Sequence, residues 1–208
     1  MTLKKIFSDL SEDLDKLDRD REEILKITRK IVRDCSVAIK YVHRKEFDNH
    51  FEKVNTIKEQ LKKVKSIVTK DPGMFFKYLK IPEQEYTEAV VFHSIISKQS
   101  FPSPTDLDLA PLHYALGLAD VIGELRRFAL NNIRHSQIDS LDDILENMDE
   151  IYNFLFSLDY PSGLTLDLRH KTDQARNIIE KTRGDISLTL QMHDLRKCIE
   201  NRRNFNED

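Results

Sequence analysis

The sequence predicts an all-α protein: a single-domain bundle of about seven mostly long, antiparallel helices spanning residues 1–208. Three observations carry this. Only five Gly and six Pro occur in 208 residues, too few for a fold that turns every ten residues. Apolar residues recur at helical rather than alternating spacing along most of the chain. Charged residues make up 33%, enough to solvate the outer faces of long amphipathic helices.

The first helix is expected from about Ser11 to Val42, a stretch without Gly or Pro whose stripe runs through Leu14, Leu17, Ile24, Ile27, Ile31, Cys35, Ala38 and Val42. A second, from about Glu46 to Thr69, places Phe47, Phe51, Val54, Ile57, Leu61, Val64 and Val68 on one side and ends at Asp71-Pro72-Gly73. A short aromatic element covers Met74–Leu79. Pro82 suits the first position of the next helix, which runs to about Lys98. After the loop SFPSPTD, where Thr105 or Asp106 could cap, a helix begins near Pro111 and reaches about Asn132. Another spans about Ser140–Leu158 before the YPSG break, and the last spans about Leu164–Asn201, with a frayed tail from Arg202.

Cys35 and Cys198 are the only cysteines and read as reduced thiols rather than a disulfide framework. The charged opening MTLKKIFSDLSEDLDKLDRDREE lacks an apolar targeting core, and no apolar run is long enough to span a bilayer. A cytoplasmic protein with no membrane partner is therefore expected. The net charge of −3 is unevenly spread: residues 26–80 hold 15 Lys and Arg against 6 Asp and Glu, while residues 81–208 hold 13 against 22. The basic segment could form a local surface for phosphates, or its lysines could simply solvate outer helix faces.

Two helical segments, EQEYTEAVVFHSII and PLHYALGLADVIGELRRFAL, are apolar nearly all round, which marks buried helices. Gly117 and Gly123 in the second suggest a closely approaching backbone, since each lowers helix propensity by roughly 1 kcal/mol against Ala. Within these segments stand Glu85 and Glu88, three apart, and Asp120 and Glu124, four apart, so each pair shares a helix face. A buried carboxylate must be paired, protonated or bound to a cation. Four oxygen donors without sulfur suit Mg²⁺ or Mn²⁺, the usual device for phosphodiester hydrolysis. Alternatively, Glu85 and Glu88 lie on a solvated face near a helix N-terminus, Asp120 pairs with Arg127, and Glu124 pairs with Arg126 or a distant lysine. A di-iron site is disfavoured because no Glu-x-x-His pair occurs, and His93 reads as a core histidine. There is no Gly-rich phosphate loop, Ser-His-Asp set or Cys-x-x-Cys pattern.

The same residues carry a family resemblance. Pro111, Tyr114, Gly117, Ala119, Asp120, Gly123, Glu124, Leu125, Arg127 and Asn131 match the core motif of the Trax-type subunits of the translin/Trax family. EYTEAVVF, from Glu85 to Phe92, is similar to the Glu-Tyr-x-Glu-Ala-Val stretch of the same subunits, and DREEILKITRKI resembles the family's opening helix. The resemblance extends from about residue 15 to 200. The chain lacks the extra N-terminal segment of the eukaryotic Trax-type subunits and has a shorter connection from Lys98 to Pro111, so it is similar to compact prokaryotic, especially archaeal, members. It implies a metal-binding and catalytic set of Glu85, Glu88, Asp120 and Glu124 with Mg²⁺ or Mn²⁺, in an endoribonuclease that cleaves single-stranded RNA by metal-activated water. It also implies a homo-oligomeric shell, an octamer, that could hold duplex RNA or DNA as well. Arg29, Arg33, Lys62, Lys63 and Arg127 are the candidate RNA-binding residues, Arg127 with a competing role as partner to Glu124 or Asp120. Two other readings are a non-catalytic, translin-like RNA- or DNA-binding oligomer and an all-α nucleotide pyrophosphatase. The latter would need a Glu-Glu-x-x-Glu pattern together with Glu-x-x-Asp, and the first of these does not occur in the chain.

Overall fold

The computed structural model describes residues 2–204, and among them every regular element is helical. In chain order these are α1 (Leu3–His43), α2 (Phe47–Val68), α3 (Pro72–Phe75), a 3₁₀ turn (Phe76–Leu79), α4 (Lys80–Ile96), α5 (Pro111–Arg134), α6 (Leu141–Ser157), α7 (Ser162–Thr165) and α8 (Leu168–Asn204). The all-α expectation holds. Contacts group the chain into two compact units, residues 1–117 and 118–208, and the boundary falls inside α5.

The first unit is built on the α1–α2 hairpin. His50 meets Ala38, Lys53 and Gln60 meet Asp34, Lys63 meets Glu23, and Lys70 meets Asp20, so residue numbers rise on one helix as they fall on the other. Ile24, Ile31, Cys35, Ala38 and Val42 of α1 and Ile57 and Val64 of α2 are wholly buried, as their helical spacing requires. α4 packs on this hairpin, with Tyr86, Ala89, Val91 and Phe92 inside. Its start departs from expectation: the helix begins at Lys80, and Pro82 occupies its third position. The first four amides of a helix have no intrahelical acceptor, so the missing N–H of proline costs nothing there. α1 also begins eight residues before the expected Ser11, because no helix breaker stands between Leu3 and Leu10 and helical spacing continues through them.

In the second unit, Asp120 meets Lys171 while Arg126 meets Thr182 and Asp185, so α5 and α8 run in the same direction. α6 lies against α8, with Leu141, Ile144, Met148, Ile151 and Leu155 of α6 facing Ala175, Ile179 and Ile186 among the buried residues, and Arg183 bonding Asp149 at 2.8 Å. The expected helix from Leu164 is interrupted. α7 ends at Thr165, and Leu166 takes φ +53°, a left-handed conformation that breaks a helix and is costly for a residue with a Cβ. α8 continues through Asn204, past the expected end at Asn201, and the rest of the expected frayed tail, residues 205–208, lies outside the described residues.

One buried polar pair gives the first unit a pH dependence. His50 is 2% exposed, its Nδ1 lies 3.1 Å from the Ala38 carbonyl, and its ring stacks on His93 with centroids 4.3 Å apart. Burial pushes the pKa of His50 down from 6.5 to about 4, and the neighbouring His93 adds to the effect. The unfolded chain therefore binds the proton more tightly than the folded one. The stability that follows is complete above pH 6.5 and is lost as pH falls from 6.5 towards 4, by roughly 2–3 kcal/mol. Urea denaturation at pH 7 and pH 4.5 should show that loss for the wild type and a much flatter dependence for His50→Gln. An equal slope in both proteins would remove His50 as its source.

Candidate functional site

α4 is buried on almost every side, and its open positions form one strip. Pro82, Glu83, Gln84, Tyr86, Thr87, Ala89, Val91, Phe92, His93 and Ser94 are covered, whereas Glu85 and Glu88 are half-buried on the remaining face. Their charges reach Cys35 of α1. That thiol is completely buried, and burial first, then Glu85 and Glu88, raise its pKa well above the ordinary value. Cys35 consequently stays a neutral thiol near the acid pair and adds no negative charge beside it.

α5 repeats the arrangement. Val121, Ile122, Leu125, Phe128 and Ala129 are buried, and Asp120, Gly123, Glu124 and Arg127 occupy the open strip. The partners differ from those the sequence suggests. Asp120 is bonded not by Arg127 but by Lys171 of α8, whose Nζ lies 2.5 Å from both carboxylate oxygens. Arg127 lies 3.3 Å from Glu124, one of the two partners expected for it, and its side chain is exposed. Arg126 turns away, to Asp185 at 3.0 Å and Thr182 at 2.9 Å. Glu85 and Glu88 belong to the first unit, and Asp120 and Glu124 to the second. Among the described residues no group of three or more His, Cys, Asp or Glu is arranged to hold a metal ion.

Each pair nevertheless suits a hard divalent ion. Two carboxylates one helical turn apart and half-open to solvent are hard oxygen donors, and they resemble the one or two carboxylates through which Mg²⁺ is commonly held while it keeps its waters. The ammonium on Asp120 shows that a cation is accommodated at that position.

A second feature lies wholly within the first unit. A groove of about 680 Å³ between α1 and α2 is lined by Glu22, Glu23, Lys26, Ile27, Arg29, Lys30, Gln60 and Lys63. Arg29 and Lys63, expected as RNA contacts, both line it. Arg33 and Lys62 do not: Arg33 is exposed elsewhere on α1, and Lys62 is exposed and bonded to Glu59 at 2.7 Å. Lys26 and Lys30 were not singled out, although KITRKIVR sets Lys26, Arg29, Lys30 and Arg33 at i, i+3, i+4 and i+7, a basic stripe on one helix face. Four cations against two carboxylates make the groove a positive surface despite the acidic chain.

Glu83, also not anticipated, is 1% exposed and organises the entry into α5. It accepts from the Ala110 amide at 3.1 Å, lies 2.8 Å from Nδ1 of His113 and meets Lys65 at 3.3 Å. The His113 ring stacks on Phe76. In the loop before α5, Asp106 accepts from the Ser103 amide and hydroxyl, closing a local turn instead of capping the helix.

With this geometry established, comparison places the chain. The translin family model matches residues 19–183. The chain belongs to the translin family. An uncharacterized protein of Methanocaldococcus jannaschii is 39% identical over 184 residues, covering 88% of this chain and 82% of that protein. Translin-associated protein X of Rattus norvegicus is 24% identical over 188 residues, and the match spans 71% of this chain and 65% of the rat protein. Among solved structures, the AfC3PO chain in a duplex RNA complex superposes with a TM-score of 0.83 at 29% identity, covering 89% of this chain and 97% of that one. The likeness to archaeal members expected from the sequence thus has a counterpart in an archaeal relative. No helix among its described residues is long and apolar enough to cross a membrane.

Proposed function

We propose that this translin-family chain is an RNA-binding, divalent-metal-dependent endoribonuclease acting as a homo-oligomer, an octamer, in the cytoplasm, with Glu85, Glu88, Asp120 and Glu124 as its metal ligands and catalytic acids. The observation that carries the reading is that the two most deeply buried stretches of helix open to solvent along strips occupied by these carboxylate pairs. Mg²⁺ or Mn²⁺ bound there would supply Lewis-acid stabilisation of phosphoryl charge and a more acidic water. The protein's own share is to hold and aim the four carboxylates, with one glutamate positioned to take a proton from the attacking water. The α1–α2 groove holds the RNA backbone through Lys26, Arg29, Lys30 and Lys63, and Arg33 and Lys62 extend the basic surface. Phosphate contacts of this kind position a strand without reading its sequence and weaken as salt rises. The duplex RNA complex of the AfC3PO relative supports RNA as the ligand class.

The second reading, a non-catalytic nucleic-acid-binding oligomer, is favoured by the lack of a three-donor cluster among the described residues. The deciding experiment incubates end-labelled single-stranded RNA, duplex RNA and single-stranded DNA with the protein in Mg²⁺, Mn²⁺ or EDTA. Cleavage of single-stranded RNA that requires the divalent ion is expected. RNA retained by the protein but intact under every condition would select the second reading.

A further inference from the structure

The partner of Asp120 is unusual for its position. Lys171 is the fourth residue of α8, in the first turn, where the partial positive charge of the helix end disfavours a cation. Its neighbours Arg169 and His170 are exposed, as basic residues at such a helix end should be. Lys171 instead turns inward, with only 19% of its side chain exposed, and sits on both oxygens of Asp120. The arginines nearest in sequence to Asp120 are engaged elsewhere, Arg127 with Glu124 and Arg126 with Asp185 and Thr182. Among the described residues, the charge of Asp120 is thus met by the Lys171 ammonium, on a flexible four-carbon stem. Unlike the planar fork of an arginine, such a group can leave without dismantling a bidentate pair.

We propose that Lys171 is a displaceable counter-cation of the acid strip. It neutralises Asp120 in the metal-free protein, competes with a divalent ion for the same two oxygens, and swings outward when that ion binds, placing its ammonium beside the strip for an RNA phosphate. The proposal rests on the metal-site reading given above. It assigns Lys171 a positioning role that couples metal loading to substrate binding, and it explains why this lysine turns inward while Arg169 and His170 beside it stay exposed.

The test uses the full-length protein and two readouts that need no catalysis. The first is Mn²⁺ affinity, measured by electron paramagnetic resonance of the free ion, for wild type, Lys171→Met and Lys171→Arg. Lys171→Met, freed of the competitor, should bind Mn²⁺ about three- to fivefold more tightly, while Lys171→Arg should bind no more tightly than wild type. The second is acylation of Lys171 by an amine-reactive ester, read by peptide mapping. Labelling should be slow in EDTA, rise several-fold on adding Mn²⁺, and be fast without metal in Asp120→Asn. Should Lys171→Met not fold, Lys171→Gln replaces it, and the labelling experiment on wild type stands independently. Measurable but equal Mn²⁺ affinities in wild type and Lys171→Met, or labelling indifferent to Mn²⁺, overturn the proposal and leave the metal site standing. Absence of Mn²⁺ binding in all proteins overturns the metal-site reading itself, and with it the role given to Lys171.

Discussion

Asp120→Asn should abolish metal-dependent RNA cleavage, lowering the rate by about 10²–10³-fold or more, a loss typical of removing one preorganised electrostatic group from a transition state. The substitution is isosteric and removes one negative charge from a position that is 36% exposed at the side chain. The lost ion pair with Lys171 is partly solvated, so the stability cost is below about 1 kcal/mol. A large catalytic loss with an unchanged denaturation midpoint is therefore the expected signature. Asp149→Asn is the matched control. It breaks another ion pair of the same unit, with Arg183 of α8 at 2.8 Å, at comparable exposure. Its cleavage rate should stay within twofold of wild type. Single-turnover cleavage of end-labelled RNA by the three proteins, with circular dichroism melts alongside, makes the comparison. If Asp120→Asn cuts as fast as wild type, the chemistry lies elsewhere. If both variants lose activity equally, the effect belongs to the packing of α8 and not to the acid strip.

How far the sequence could be read divides along the line between local and tertiary information. Helix identity is local: the spacing of Ile24, Ile31, Cys35 and Val42 on α1 or of Ile144, Met148, Ile151 and Leu155 on α6 states both the element and its buried face. The half-buried carboxylates of α4 and α5 were equally legible, because acids isolated in apolar helices are conspicuous in the sequence. What occupies them was not. Lys171 lies 51 residues beyond Asp120, in a basic run that reads as a solvated helix end, and only tertiary packing reveals the pairing. Glu83 was hidden for the opposite reason, sitting beside two other acids in a short stretch while its partners His113 and Lys65 lie 30 and 18 residues away on other elements. The basic stripe from Lys26 to Arg33 was present in full, yet sequence alone does not say that α2 would bring Lys63 alongside to form a groove. The break at Leu166 also escaped, because a leucine at positive φ carries no composition signal.

The two glycines of α5 were read alike and behave differently, which leads to the largest effect on stability expected of a substitution. A Cβ added at Gly117 would stand 2.6 Å from Cβ of Thr87 and 2.7 Å from the carbonyl oxygen of Gln84. At Gly123 it would meet nothing among the described residues within 4 Å, so among them the close approach expected at Gly123 is absent and Gly117 marks the backbone contact. The obstruction at Gly117 cannot be relieved by a rotamer change. The Gln84 oxygen is helix backbone, and Thr87 is fully buried with its hydroxyl bonded to the Glu83 carbonyl at 2.8 Å. Gly117→Ala must therefore force α5 away from α4 within the first unit. Overpacking of this kind costs about 1–3 kcal/mol, and opening a backbone contact belongs at the upper end. The gain in helix propensity, at most about 1 kcal/mol, does not offset it. Gly117→Ala should lower stability by about 2 kcal/mol and the melting temperature by several degrees, and Gly117→Val by more. Gly123→Ala, which gains propensity with no clash, should raise stability by about 0.5–1 kcal/mol. Thr87→Gly should relieve Gly117→Ala only in part, because it removes the 2.6 Å contact and leaves the one to Gln84. Thermal and urea denaturation of the four variants and the double mutant decide it: equal stabilities for the two alanine variants would mean that α4 and α5 are not in backbone contact at Gly117.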